Sequence, residues 1–398
     1  MDPDARRTRI AVSAAFAAQG LGFAVLLSHV PAFKDRYDIN DGVVTAVLFG
    51  VALLAGLGTF VAEQVAARRG SGLVLRVALV TVALGVAIIA IAPDLPVFFA
   101  GFAIYGVAVG AVDASQNMQA VSLQFRYGRS ILTSFHAAWS AGGIVGALYT
   151  SATEALDLPL TGVLLVAAAA ILAVPLVEGR HLAPVTSERA LQESAGGRSV
   201  PAPWRPILLL GVAIVCFYVA DSGTSTWSAD YLHEVLDTSK SVAALALAAY
   251  LTTSLVSRLV GDHAVRRFGA PTVVRVGGIG GTLGLLLVVV AQEPVVAITG
   301  FAVLGLGIGV IAPLAFAAAG ELSPGSADTV VAQLNVFNYI GVVVGGAVVG
   351  LFGSAGVLRA GFLVPMVLTL VIVALAPAFH QRPAIPVPAT TEGQEAGR

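Results

Sequence analysis

Residues 101–110 read GFAIYGVAVG, and residues 300–309, which lie 199 positions later, read GFAVLGLGIG. The same shift aligns residues 61–110 with residues 260–309, and 15 of these 50 positions are identical. Chance similarity between apolar segments does not explain why charged loop residues and glycines inside the apolar segments align in a single register. The matched positions include Arg68 with Arg267, and Gly70 with Gly269. The sequence therefore predicts an internal duplication.

The composition excludes most classes of soluble protein. Hydrophobic residues make up 57% of the chain and charged residues 11%, against about 25% charged in ordinary globular domains. Lys and Arg number 22 against 23 Asp and Glu, so we expect no nucleic-acid partner. The single cysteine, Cys216, excludes an intrachain disulfide, and six scattered histidines offer no metal-binding pair. We expect a protein embedded in a lipid bilayer, with no metal and no cofactor.

The apolar stretches are long enough to cross a bilayer, which takes roughly 20 residues per helix. The predicted spans are residues 10–31, 43–66, 73–92, 96–122, 130–151, 159–177, 206–230, 241–264, 273–291, 294–319, 329–352 and 357–379. We therefore predict an all-α membrane protein with twelve transmembrane helices in two pseudo-symmetric six-helix bundles. The bundles are residues 1–178 and 206–380, joined by a cytoplasmic linker at 179–205 and followed by a flexible cytoplasmic tail at 381–398.

The distribution of basic residues predicts the orientation. With the N-terminus in the cytoplasm, 18 of the 22 Lys and Arg residues fall in cytoplasmic segments. This bias obeys the positive-inside rule. We therefore expect both termini in the cytoplasm.

Two six-helix halves of parallel topology are expected of one large class of transporters, and this chain resembles the major facilitator superfamily. The loops after spans 2 and 8 look like a degraded form of that family's Gly-x-x-x-Asp-Arg-x-Gly-Arg-Arg motif. Its arginine and second glycine are matched by Arg68, Gly70, Arg267 and Gly269. Its first glycine is replaced by Glu63 and Asp262, and its aspartate by Ala67 and Arg266. Loss of the aspartate weakens the expectation that these loops act as the family's gating latch.

Four segments are similar to the fucose-permease-related branch of bacterial inner-membrane permeases: residues 28–31 (SHVP), 113–119 (DASQNMQ), 136–140 (HAAWS) and 227–232 (WSADYL). The resemblance implies a multi-pass protein of the bacterial inner membrane, and we expect a monomer. It implies a protonatable acid at Asp113 with an Asn four residues later. The second acid of that branch corresponds here to Leu27.

Ionisable residues within spans are candidates for function because each costs roughly 2.5 to 3.5 kcal/mol to place at the centre of a helix. Asp113 in span 4 and His136 in span 5 lie at similar depths, and Asp221 lies in span 7. We predict that Asp113, Asp221 and His136 take part in proton coupling. The alternative for Asp113 and His136 is a structural pair that holds the two spans together.

Polar and aromatic residues around these positions are candidates for solute binding. Gln116 and Asn117 follow Asp113, and Trp139 and Ser140 follow His136, at helical spacings of three and four. The 199-residue shift takes this second set to Asn335, Asn338 and Tyr339 in span 11. Gln19, Trp227 and Tyr231 complete the predicted substrate-binding set, and Tyr250 is a weaker candidate. The alternative role for these polar residues is hydrogen bonding between helices. For Trp227 and Tyr231, the alternative is an interfacial aromatic belt.

Two further expectations concern helix geometry. The polar stretch from Asp221 to Asp230 predicts an interrupted helix that lines a cavity, with Trp227 and Tyr231 in its outer wall or gate. Pro313 is expected to bend span 10, and Arg258 to anchor the cytoplasmic end of span 8.

These features predict a secondary active transporter that moves a small polar, sugar-like solute by alternating access and is coupled to protons. A proton-driven exporter of a drug or secondary metabolite is the alternative. A membrane-embedded transferase is less favoured, because His136 has no His or Cys partner at ligand spacing. We predict no catalytic residues and no enzyme activity, and the chain has no phosphate-binding loop motif for ATP.

Overall fold

The computed structural model describes residues 3–182, 204–322, 326–354 and 356–380. Within these ranges the chain forms helices and no strand. The helices are α1 (Pro3–Ser28), α2 (Val30–Tyr37), α3 (Asp41–Arg69), α4 (Ser71–Ile91), α5 (Leu95–Tyr127), α6 (Leu132–Ala155), α7 (Leu160–Val177), α8 (Trp204–Asp230), α9 (Lys240–Phe268), α10 (Ala270–Val290), α11 (Pro294–Ile308), α12 (Ile311–Leu322), α13 (Ala327–Ser354), α14 (Leu358–Gly361) and α15 (Leu363–Leu375). Most of the predicted linker and the predicted tail lie outside the described residues.

Equivalent helices pack in the same pairs in the two halves of the chain. In the first half, α1 packs on α6, α3 and α4 pack on α5, and α4 also packs on α7. In the second half, α8 packs on α13, α9 and α10 pack on α11, and α10 also packs on α15. The internal duplication therefore repeats the packing arrangement as well as the sequence.

The aligned glycines have two physical roles in this packing. Gly70 and Gly269 end α3 and α9 at φ 83° and 79°, a region that side chains with a Cβ rarely adopt. Gly110 and Gly309 allow close approach of neighbouring helices. A Cβ at Gly110 would lie 1.9 Å from the carbonyl oxygen of Ala55, and one at Gly309 would lie 2.8 Å from that of the equivalent Ser254.

Ten stretches of the described chain are helical and apolar enough to cross a membrane. The two predicted spans that do not meet this standard, at residues 130–151 and 241–264, form α6 and α9. Both helices carry polar groups that lower their hydropathy, and several of these groups lie in the site described below. The count of twelve transmembrane helices stays a prediction.

The structure corrects one expected helix geometry and supplies the reason for another. The predicted interruption between Asp221 and Asp230 is wrong, because α8 continues to Asp230 and is followed by a π-helical turn, Tyr231–Val235. Span 10 does break, between α11 and α12. The break lies just before Pro313, which has no N–H to bond to the carbonyl four residues earlier.

Candidate solute site between the two halves

The carboxylate of Asp113 lies at the centre of a polar cluster that joins the two halves of the chain. Asp113 is half-buried on α5. It accepts one hydrogen bond from the Gln19 amide on α1 and another from the Tyr339 hydroxyl on α13. The Gln116 amide donates in turn to the Gln19 oxygen at 2.6 Å. A single acid therefore links α1 and α5 of the first half to α13 of the second.

Several buried amide oxygens on α5 and α13 have no hydrogen-bond partner in the described part of the chain. The Asn117 amide nitrogen donates to the backbone oxygen of Asp113 at 2.8 Å. Among the described residues, the side-chain oxygens of Gln116, Asn117 and Asn338 are buried and accept no hydrogen bond. Buried polar atoms normally have partners, so these oxygens suit hydroxyl groups of a solute or water.

The polar face of α13 is used mainly for contact with the first half. The Asn335 amide donates to the Thr59 hydroxyl of α3 at 3.0 Å, and Thr59 donates to the Gly110 carbonyl at 3.2 Å. Asn338 donates to the side-chain oxygen of Asn335 at 2.7 Å. Asn335 thus holds α13 against α3, which leaves its amide group occupied.

His136 lies beside this cluster but is not bonded to Asp113. Its ring lies between Phe16 and Phe316, with centroid separations of 5.2 Å and 6.3 Å. Its Nε2 is buried and has no hydrogen-bond partner among the described residues. The alternative of a structural Asp113–His136 pair is therefore wrong. Trp139, one turn further along α6, is half-buried and packs on Phe23.

The second acid has a separate set of contacts. Asp221 on α8 is half-buried and accepts a hydrogen bond from the buried Tyr250 on α9. The Trp227 indole donates to the Gly346 carbonyl at 3.0 Å, which ties α8 to α13 within the second half.

The expectation that Tyr231 lines a cavity is wrong. Tyr231 is fully buried, and its ring packs edge-on against Phe301 and Phe362. Its hydroxyl donates to the Val288 carbonyl at 2.6 Å. It is a core residue of the second half.

Two acids of the motif lie within α3 and α9 and not in loops, and both contact the starts of helices in the opposite half. Asp262 accepts from the Ser130 hydroxyl at 2.8 Å and from the backbone N–H groups of Thr133 and Ser134 at 3.2 Å and 3.0 Å. Its aligned residue, Glu63, is hydrogen-bonded to Thr329, which the same shift aligns with Ser130. Acids at the motif's first position therefore make contacts between the halves although the motif's aspartate is absent. The expectation that its loss weakens a role as gating latch stays a prediction.

Two residues that form contacts between the halves were not predicted from the sequence to do so. Thr59 was not singled out, and Arg258 was expected only as an anchor at a helix end. The Arg258 guanidinium donates from Nη1 to the Ser140 hydroxyl and from Nε to the Gly309 carbonyl at 3.2 Å. The available signal was the duplication, since Thr59 and Arg258 align with each other.

Apart from the bond between Tyr339 and Asp113, the cross-half hydrogen bonds described above lie towards one end of the helix bundle. We call it the arginine-rich end, after Arg68, Arg69, Arg266 and Arg267 at the ends of α3 and α9. Asp262 lies one turn from this end, and Thr59 and Arg258 lie ten residues before the last residues of their helices. The two halves are therefore in close contact on this side of Asp113.

No group of three or more His, Cys, Asp or Glu side chains in the described part of the chain could hold a metal ion. The polar atoms gathered around Asp113 belong to amides and hydroxyls, which bind through hydrogen bonds. The arrangement suits reversible binding of a polar molecule.

Comparison with known proteins supports this interpretation. The sequence model of the protein family named Major Facilitator Superfamily matches residues 210–398 of the chain. An uncharacterized transporter of Sinorhizobium fredii, y4wD, is 27% identical over 379 residues, which are 93% of this chain and 97% of the relative. An uncharacterized MFS-type transporter of Yersinia pestis is 26% identical over 371 residues, 93% of this chain and 95% of the relative. The crystal structure of the transporter FucP in the outward conformation shares the fold, with a TM-score of 0.77 at 16% identity over 94% of this chain and 98% of FucP.

The helical architecture is that of a multi-pass membrane protein with the major facilitator fold. The family match over residues 210–398 and the named transporter relatives show that the chain is similar to transporters of the major facilitator type. The resemblance in sequence to the major facilitator superfamily is thereby confirmed.

Proposed function

We propose that the protein is a proton-coupled secondary transporter that moves a small polar, sugar-like solute across the bacterial inner membrane by alternating access. The observation that carries the proposal is the carboxylate of Asp113, which accepts hydrogen bonds from both halves of the chain. A proton on this group would weaken a contact between the two halves. Binding of a proton and movement of the halves would thus be linked at one carboxyl group.

The unpartnered amide oxygens of Gln116, Asn117 and Asn338 support a polar solute. They can accept from hydroxyl groups, and the half-buried Trp139 offers an apolar face of the kind that binds sugar rings. Fucose is the solute named for the E. coli proton symporter FucP, whose fold this chain shares. Asn335 contributes through contact between the halves, because its amide is already bonded to Thr59.

The proposed cycle starts with the arginine-rich end closed, as in the conformation described above, and with that end in the cytoplasm. While Asp113 is ionised, charge-assisted bonds from Gln19 and Tyr339 hold the two halves together. When solute and proton have entered from the outer side, Asp113 is neutral and the bond from Tyr339 is weaker. The halves can then separate at the arginine-rich end and release both into the cytoplasm.

The test is transport in proteoliposomes with an imposed pH gradient, using a panel of labelled sugars and polyols. We expect the wild type to accumulate a solute from this panel inside the vesicles when the vesicle interior is more alkaline than the outside. Asp113→Asn should still exchange that solute across the membrane, because the amide preserves the shape of the site, but it should not accumulate it. Gradient-driven accumulation by Asp113→Asn at the wild-type level would refute the proposal.

Export of a drug or secondary metabolite remains the second candidate. It predicts that solute accumulates inside the vesicles when their interior is more acidic than the outside. It also predicts a preference for amphiphilic compounds over sugars in the same assay. The many amide groups around Asp113 favour the first candidate, because a site for amphiphilic drugs would be lined mainly by apolar groups.

A further inference from the structure

Arg258 is a cation placed among the neutral and acidic groups of the proposed site. It lies on α9, ten residues before that helix ends at Phe268, and is half-buried. A charged side chain at this depth is costly unless it has a role or a partner of opposite charge. The partners of its guanidinium are both neutral, the Ser140 hydroxyl and the Gly309 carbonyl.

The acids of the proposed site and of α9 are all occupied by other donors. Asp113 accepts from Gln19 and Tyr339, and Asp221 from Tyr250. Asp262, one turn along the same helix, accepts from the start of α6. Within the described residues, the guanidinium of Arg258 makes no hydrogen bond to a carboxylate.

Arg258 therefore has unused hydrogen-bonding capacity. A guanidinium has five N–H donors in a flat fork, and the two protein bonds of Arg258 use the Nε donor and one on Nη1. The remaining donors match the two oxygens of a carboxylate. The Ser140 and Gly309 contacts would hold the fork in place while a ligand binds.

We propose that Arg258 binds a carboxylate group of the transported solute, and that the solute is a small polyhydroxylated acid of the sugar-acid type. This inference rests on the proposed function and specifies its substrate class. The hydroxyl groups of such a molecule would meet the unpartnered oxygens of Gln116, Asn117 and Asn338. One negative charge would be carried with the proton on Asp113, so net transport would be electroneutral.

The first experiment measures binding without transport, as the shift in Tm of the purified full-length protein in detergent. The probes are gluconate, galactonate and glucuronate, with the neutral compounds glucitol, galactitol and glucose as their matches. We expect at least one acid to raise the Tm and its neutral match to leave it unchanged. A shift by neutral compounds alone, or no shift with any of the acids, overturns the inference.

Variants separate binding from a purely structural role of Arg258. Arg258→Gln should bind the active acid roughly 10- to 100-fold more weakly, and Arg258→Lys should fall between, because it keeps the charge and loses the fork. The control is Arg275→Gln, which removes an exposed arginine on α10 outside the site. Unchanged acid binding by a folded Arg258→Gln contradicts the inference.

Flux in proteoliposomes distinguishes failure of this inference from failure of the proposed function. Accumulation of an acid that follows the pH gradient and ignores an imposed membrane potential supports the inference. Proton-driven accumulation of a neutral sugar alone refutes the inference and leaves the proposed function standing. Binding of the acid with no proton-driven accumulation of any solute refutes the proposed function and leaves the binding site standing.

Discussion

The two boundaries between the halves occupy equivalent positions and are built from different chemistry. At the α3–α13 boundary, Asn335 donates to Thr59, a neutral pair. At the α6–α9 boundary, Arg258 donates to Ser140, and Asp262 accepts from the start of α6. A bond to an ionised group contributes about 1.5 to 3 kcal/mol, against about 0.5 to 1.5 kcal/mol for a neutral one. The comparison teaches that the duplicated halves have kept their contact positions and an acid at each boundary, Glu63 and Asp262, while the α6–α9 boundary alone adds Arg258 and backbone donors to its acid.

The largest effect is expected from Asp262→Asn at the charged boundary. The substitution removes the negative charge that faces the N–H groups of Thr133 and Ser134. We expect amide hydrogen exchange in residues 131–137 to rise about tenfold. Exchange at the start of α13 provides an internal control, and equal protection in both proteins would show that Asp262 does not stabilise this boundary.

A smaller effect is expected from the neutral pair. Thr59→Val and Asn335→Leu each remove one side of a buried hydrogen bond. A double-mutant cycle on the free energy of unfolding in SDS titrations should give a coupling of about 0.5 to 1.5 kcal/mol. If the two substitutions change the free energy of unfolding additively, the Thr59–Asn335 hydrogen bond does not stabilise the contact between the halves.

Glu63→Gln should have less effect than Asp262→Asn. Glu63 is half-buried and is bonded to the Thr329 side chain, whereas Asp262 is buried and also accepts from backbone N–H groups. We expect hydrogen exchange in residues 327–333 to rise about threefold or less. A larger change here than at α6 in Asp262→Asn would reverse the ranking of the two boundaries.

The smallest effect is expected from His136→Phe. The ring already lies between Phe16 and Phe316, and its Nε2 has no bond among the described residues to lose. Proton-driven accumulation should stay within about twofold of wild type, because changes that break no bond have small effects. Complete loss of proton coupling would return His136 to the role predicted from the sequence.

Much of the architecture could be predicted because apolar length and an exact 199-residue register are properties of the sequence itself. The aligned glycines predicted repeated helix packing, and Gly110 and Gly309 show why, since each allows a neighbouring backbone to approach. Asp113 could be singled out because an acid within an apolar helix is costly.

The partners of these residues could not be predicted in the same way. Depth along a helix pointed to His136 as the neighbour of Asp113, but the rotation of α6 places that ring between two phenylalanines instead. The direction in which a helix presents its side chains depends on tertiary packing, which also buried Tyr231 and brought Tyr339 to Asp113. The partners of Arg258 come from α6 and from the break after α11, which are distant in sequence. The sequence near Arg258 therefore indicated only an anchor at a helix end.

The most direct test of the account measures whether the proton on Asp113 controls closure of the arginine-rich end. Spin labels at the exposed end of α3 and the start of α13, or at the exposed end of α9 and the start of α6, would report the distance between the halves as a function of pH. The account predicts that the wild type opens at this end as the pH falls. Asp113→Asn, which mimics the neutral acid, should be more open at this end than the wild type at neutral pH, by an amount that does not change with pH. The same pH response in wild type and Asp113→Asn would contradict it.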